Sequence, residues 1–207
     1  MKMQSNSDAR DLLLAAAIAL FARKGYHATS VREIVEAAGV TKPVLYYWFG
    51  SKEGLFHALV ELAVAAHREV LASVRASGGT ATERILLLGE RVIELVCAHA
   101  DVVRVFDAVY YGPREGAPAV DFDPLYGEFN RFLRDLVVDG VRTGEFRDGD
   151  VVPMHAALLG AFLVCDTAAV AAAEHAPPPC AGALATQDVR QVLTIVLDGM
   201  RAGEGGA

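Results

Sequence analysis

Between Ser30 and Lys52 the chain reads SVREIVEAAGVTKPVLYYWFGSK, and few folds accommodate that order of residues. Ser30 stands three residues before Glu33, the reciprocal capping pair that opens a helix. Val31, Ile34, Val35 and Ala38 then recur at helical spacing. Gly39 follows, a residue that takes positive φ without a Cβ penalty, so one helix can end there in a tight turn. Thr41 is placed to cap a second helix, and Pro43 is tolerated in a first turn whose N–H groups have no intrahelical partner. That helix is short and sets Lys42, Val44, Tyr46, Tyr47 and Trp48 around a buried Leu45. Two short helices joined by a glycine turn predict a helix-turn-helix, whose second helix is the one that enters a DNA major groove.

The wider run LLLAAAIALFARKGYHATSVREIVEAAGVTKPVLYYWFGSKEGLF, from Leu12 to Phe56, resembles the DNA-binding domain of the TetR family of bacterial transcriptional regulators. An apolar first helix ending LFARKGY is followed by TSVREI, AAGV, LYYWF and SKEGL in order, a match over the first quarter of the chain. Trp48 stands where relatives usually carry a histidine. The resemblance implies an all-α protein of about nine helices. Residues 1–50 would form the DNA-binding domain and 51–207 an effector-binding and dimerisation domain, with 51–76 the linking helix. It implies phosphate contacts from Thr29, Ser30, Tyr46, Tyr47 and Lys52, with Lys42 and Val44 facing the groove. There Lys42 can donate to guanine acceptors and Val44 can meet a thymine methyl. Thr41, at the start of the second helix, and Arg32, on the first, complete the expected interface. Three consecutive aromatics cannot all point inward from one helix, so at least one of Tyr46, Tyr47 and Trp48 must be exposed.

Charge is distributed as that reading requires. The net charge is −7, yet residues 1–53 hold seven Lys+Arg against five Asp+Glu, and every lysine lies at or before Lys52. The basic excess therefore sits at the end that would face phosphates. Three cysteines, Cys97, Cys165 and Cys180, are widely spaced and form no CxxC pair, which argues against a zinc site or disulfide framework and for a reducing cytoplasm. No metal or cofactor is expected. The polar start, Met1 to Arg10, does not read as a signal peptide.

Further along, helices are expected at about 8–24 and 51–75, the second breaking at Ser77-Gly78-Gly79. Thr80 with Glu83 repeats the capping box and opens a helix to about Ala100. Asp101 caps the next, and Asp123 with Pro124 starts another, to about Thr143. Two more run from about 150 to 175 and 186 to 202, separated by Pro177-Pro178-Pro179.

The apolar span Val151 to Ala173 is long enough for a membrane helix, but a helix apolar all round is also what a subunit interface requires. The interface reading is adopted, with no membrane partner. Leu158, Leu159, Phe162 and Leu163 on one helix, and Val192, Ile195 and Val196 on the next, are expected in a two-fold homodimer contact, which the resemblance also implies.

Aromatic residues Phe106, Tyr110, Tyr126, Phe129 and Phe132 crowd two middle helices, and aromatics at this spacing usually belong to a core. The resemblance implies instead that such helices enclose a small, mainly apolar effector, with His99, Arg104 or Asp107 as polar anchor. Partners are then an operator duplex, an effector and a second copy of the chain. The rival readings are an enzyme using Asp101, Asp107, Asp121, Asp123 or Glu128, and an architectural DNA binder with a sealed core. No catalytic residue is assigned, because neither a nucleophile motif nor an HExxH pair is present.

Overall fold

Nine α-helices and one turn of π-helix make up the computed structural model, which describes residues 6–175 and 181–202. The helices are α1 (Asn6–Lys24), α2 (Val31–Ala38), α3 (Lys42–Phe49), α4 (Lys52–Ala76), α5 (Ala81–Ala98), α6 (Ala100–Tyr110), α7 (Glu128–Arg142), α8 (Val151–His175) and α9 (Ala181–Asp198). The expected arm before Ser7 with Lys2, the triple-proline loop, Cys180 and the GEGGA tail lie wholly or mainly outside the described residues. The chain packs as two units, residues 1–64 with 101–121 and residues 65–100 with 122–207.

In the first unit, α2 and α3 both pack on α1. Leu13, Ile34, Leu45, Leu55 and Phe56 are fully buried there, joined by Val105 and Phe106 from α6. Phe56 is the hinge of an aromatic cluster, 5.9 Å from Phe21, 5.3 Å from Tyr26 and 5.7 Å from Phe106 between ring centroids. The segment after α6 lies on this unit as well: the Ala119 N–H donates to Glu53 at 2.9 Å, and Gly116 sits against the His27 ring. On α4 the buried stripe runs through Leu55, Leu59, Val60, Val64, Leu71 and Val74. Leu62, two turns after the fully buried Leu55 and so on its side of α4, is exposed.

The second unit packs α5 against α7, α8 and α9, with α8 also against α7 and α9. Its core includes Ile85, Leu88, Ile93, Leu133, Leu136, Phe162 and Leu193. The capping box at α5 is present: Thr80 Oγ1 accepts from the Glu83 N–H, and the Glu83 carboxylate accepts from the Thr80 N–H at 2.9 Å. Glu145 adds a second anion there, accepting from the Ala81 and Thr82 N–H groups at 2.8 and 2.9 Å. Burial pushes the Glu145 carboxyl up, but those hydrogen bonds outweigh it and hold it below the ordinary range.

Three elements differ from their sequence expectation. Asp101, expected to cap the sixth helix, lies within α6, which begins at Ala100. The helix expected from Asp123 begins instead as a wide π turn, Asp123–Gly127, before α7 proper. Asp123 reaches forward to Arg131 and swings across Gly127, where a Cβ would lie 2.0 Å from its Oδ1, so a side chain there would require Asp123 to move. The last helix starts at Ala181 and stops at Asp198, earlier at both ends than expected. Its exit is taken up by main-chain bonds, Arg147 N–H to Met200 O at 2.8 Å and Ala202 N–H to Glu145 O at 3.2 Å, which exclude further helix.

By length and composition α8 would pass for a membrane span over Val151–Ala172, but α5, α7 and α9 cover one side of it. Gly140 on α7 is a point of close approach, since a Cβ there would fall 2.3 Å from the Phe146 ring. Gly140→Ala should therefore destabilise the protein by about 1–3 kcal/mol through overpacking. Urea unfolding followed by circular dichroism would show this as a lower midpoint with unchanged slope.

Candidate nucleic-acid interface

The reader is built by short-range rules. At the start of α2, Ser30 Oγ accepts from the Glu33 N–H at 3.3 Å, and the Glu33 carboxylate accepts from the Ser30 N–H at 2.9 Å. At its end Gly39 adopts φ 67°, and the Val40 N–H closes onto Val35 O at 3.0 Å. The chain turns sharply there and α3 begins at once. Thr41 takes the N-cap position with extended backbone, but its side chain makes no capping bond. Ile34 and Leu45 are fully buried and fix α3 against α2 and α1.

This packing leaves Thr41, Lys42, Pro43, Tyr46 and Tyr47 exposed, Tyr47 at 73%, with Val44 half-buried. Of the expected groove residues, Lys42 is exposed and Val44, two residues on, is half-buried at another edge of α3. Ser30 and Arg32 are exposed on α2, Arg32 being paired with Glu36 at 2.7 Å. Trp48 is half-buried and meets Tyr47 edge-on at 5.4 Å, with no hydrogen-bond partner for its indole N–H.

Two of the expected phosphate contacts are placed differently. Thr29 is 1% exposed, and its hydroxyl donates to Gly25 O at 2.8 Å, so that side chain faces the interior rather than a duplex. Lys52, the first residue of α4, donates to Tyr26 O and Thr29 O, each at 2.9 Å, and lies 4.1 Å from the Tyr26 ring centroid. Burial, and Lys24 nearby, lower its pKa from the ordinary value. An ammonium has three donors, so one remains beyond the two carbonyls. Arg10 is also occupied in part, its guanidinium lying 5.9 Å from the Phe49 ring centroid.

Sequence reading missed the ion pair of Lys24 with Glu33. The signal was weak: Lys24 ends one helix and Glu33 is already explained by capping. The Lys24 ammonium and the Ser30 hydrogen bonds together hold the Glu33 carboxyl at about 2, against an ordinary 4.5.

The expected effector residues divide between the units. Arg104, Phe106, Asp107 and Tyr110 belong to the first, where Phe106 is core and Arg104 pairs with Asp101 at 3.3 Å. His99, Tyr126, Phe129 and Phe132 belong to the second. There His99 is exposed at the end of α5, while Phe132 is buried beneath the Arg75 guanidinium at 4.7 Å. Tyr126 and Phe129 are half-buried.

The expected dimer residues also sort. Leu158 and Phe162 face the interior of their own unit and are fully buried, as the inward positions of α8 must be. Leu163 and Ile195 are exposed, Ile195 at 73%, with Leu159, Val192 and Val196 half-buried. Val152 and Val164 extend that outer face, unforeseen because the pattern of α8 is apolar on every side. An open groove of about 700 Å³ lies alongside, lined by Pro153, Met154, Ala157, Ile195 and Met200 with Arg147 and Asp148 at its edge.

A recognition helix carried in this way defines a DNA-binding transcriptional regulator, not an enzyme. The family model for bacterial regulatory proteins of the tetR family matches residues 13–59. Over 205 residues the chain is 32% identical to the transcriptional repressor KstR2 of Rhodococcus jostii, spanning 94% of this chain and 92% of that protein. The chain belongs to the TetR family of bacterial transcriptional regulators. Among solved structures, the ketosteroid transcriptional regulator KstR2 of Mycobacterium tuberculosis superposes with a TM-score of 0.67 at 25% identity, covering 93% of this chain and 95% of that one. The regulator FadR from Bacillus subtilis in complex with stearoyl-CoA shares the fold, with a TM-score of 0.69 at 20% identity over 92% of this chain and 99% of that one.

The Glu33 carboxyl is depressed in the folded protein, so its contribution is fully present above its unfolded value near 4.5 and disappears as pH falls toward 2. Glu33→Gln keeps the capping hydrogen bonds but not the charge. Thermal unfolding should show the variant less stable than the parent at pH 7 and the difference closing by about pH 2. A constant difference across that range would contradict the assignment.

Proposed function

We propose that the chain acts as a two-fold dimer on a palindromic operator, most simply as a repressor that a small, mainly apolar effector releases. On this reading residues 1–50 read DNA, residues 51–207 hold the effector and the second copy, and 51–76 link them, in the cytoplasm. The observation that carries it is the outer side of α3, where Lys42, Tyr46 and Tyr47 stand exposed on a helix fixed by a buried Leu45. Most protein–DNA hydrogen bonds go to phosphates and set register, while a few side chains read base edges. We assign Lys42 and Val44 to base edges, with Ser30, Arg32, Thr41, Tyr46 and Tyr47 on the backbone. Lys52 acts on the duplex chiefly by holding the Tyr26–Thr29 turn, with its remaining donor available to a phosphate.

Dimerisation is supported by the outer face of α8 and α9, where Val152, Leu163, Val164 and Ile195 are exposed together with Ala156 and Gly160. Small residues there let helices approach closely. Paired readers would contact half-sites one or more helical turns apart. The effector reading draws on the half-buried Tyr126 and Phe129, and on the ketosteroid named for the Mycobacterium tuberculosis relative, an apolar polycyclic class. An effector shifts operator binding only by preferring one arrangement over the other, and a coupling of about 1–3 kcal/mol changes affinity roughly 5–150-fold.

Selection of bound duplexes from random DNA tests the reading: a palindromic consensus is expected, and recovery of unrelated sequences would overturn it. With that consensus in hand, Lys42→Ala should blur base preference at unchanged melting temperature, whereas Lys52→Ala, which removes a tie of the Tyr26–Thr29 turn as well as a phosphate donor, should lower the melting temperature and weaken specific DNA at least as much as random DNA. Val164→Asp combined with Ile195→Asp should sediment as monomer and bind the full operator at least about tenfold more weakly, a loss of about 1.4 kcal/mol.

A further inference from the structure

Within the second unit one polar atom is buried without service from its surroundings. His67 lies on the inward stripe of α4, one and two turns before the fully buried Leu71 and Val74. Its Nε2 is wholly buried and has no hydrogen-bond partner. Native interiors rarely keep such an atom without a use for it. The imidazole stands edge-on to Phe129 of α7 at 5.7 Å, and Phe129 stands edge-on to Phe162 of α8 at 5.1 Å. Three helices thus contribute one aromatic row with His67 at its polar end. His155, two turns before Phe162 on α8, buries a second Nε2 without a hydrogen-bond partner, roughly 10 Å along the helix axis from Phe162.

The segment beside this row is the least regular part of the unit. Phe122, Tyr126 and Phe129 are only half-buried, and the wide π turn Asp123–Gly127 joins them. Both ends of that turn are tied by ion pairs of exposed arginines, Arg131 to Asp123 and Arg68 to Glu128. Exposed pairs hold weakly, and π turns are frequent at functional sites.

We infer that the row His67–Phe129–Phe162 is a ligand subsite, in which His67 Nε2 hydrogen-bonds a neutral polar group on an otherwise apolar, ring-bearing small molecule. This rests on the effector reading above and gives it a chemical class. Flat rings suit edge-on and offset aromatic neighbours. A neutral imidazole nitrogen donates or accepts according to tautomer, so a hydroxyl, ketone or amide is satisfied there. Burial lowers the His67 pKa against the opposing pull of Glu128, so the ring is uncharged near neutral pH and offers a carboxylate no cation. The signal in the sequence is a histidine at a position of an apolar helical stripe.

The test uses the full chain and three probes that share one ring body, 2-naphthol, 2-methylnaphthalene and 2-naphthoate, titrated calorimetrically into the parent, His67→Phe and His67→Gln. The parent should bind 2-naphthol at least about tenfold more tightly than the other two, the amount expected of one well-made hydrogen bond. His67→Phe should erase the preference of naphthol over methylnaphthalene, and His67→Gln should restore part of it. In the parent, the His67 Nε2 nitrogen resonance should move on adding 2-naphthol and stay still with 2-methylnaphthalene, a readout that holds even if His67→Phe fails to fold. Equal affinities, no binding of any probe, a preference that survives His67→Phe, or an unmoved nitrogen would each overturn the subsite. A compound that releases the operator equally from parent and His67→Phe removes His67 alone and leaves the effector reading intact. An operator complex indifferent to 2-naphthol bound at His67 does the reverse.

Discussion

One half-buried ammonium organises the end of this molecule that meets DNA. The turn between α1 and α2 leaves the carbonyls of Tyr26 and Thr29 pointing at the first turn of α4, and Lys52 donates to both. Carbonyls closed off from water need a donor, and a cation makes the stronger bond. Thr29, buried, reaches back to Gly25 O, and Lys24 closes the other side by pairing with Glu33. The start of α2 is therefore held by three independent ties, and α3 inherits its position through Ile34 and Leu45. An outward Lys42 has a defined place only because those ties exist. The same lysine that the family resemblance offered to a phosphate is first a structural cation.

The reader was legible because its rules are local. A capping box, a glycine at φ 67° and a proline in a first turn each act within four residues, so Ser30 to Phe49 could be drawn from the sequence nearly as found. What could not be drawn depends on distant partners. Glu145 serves the N–H groups of α5 from 64 residues away, and Asp123 swings onto Arg131 to open a π turn where regular helix was expected. Nor does a sequence apolar on every face say which side turns inward. Leu158 and Phe162 were grouped with Leu163, and only packing against α5, α7 and α9 separates them.

The effector side shows the same division. Aromatic crowding in α6 and α7 was visible, but Phe106 and Phe132 proved to be core, and the polar anchors expected at His99 and Arg104 lie exposed or paired. His67 is not among the residues that the sequence singles out, yet its Nε2 is buried without a hydrogen-bond partner. A buried orphan atom among aromatic rings carries more information about a ligand than the number of aromatics does. It also narrows the chemistry, since a neutral imidazole selects a hydroxyl or carbonyl over a carboxylate.

The account stands on two identical readers gripping one duplex through a shared apolar face. Comparing the affinity of the parent chain for a selected full palindrome with that for a duplex holding one half-site, at equal length and salt, tests this most directly. Joining two sites through a dimer should favour the palindrome by at least about a hundredfold. Equal affinity for the two duplexes would mean that each chain reads DNA alone, and the central claim would fail.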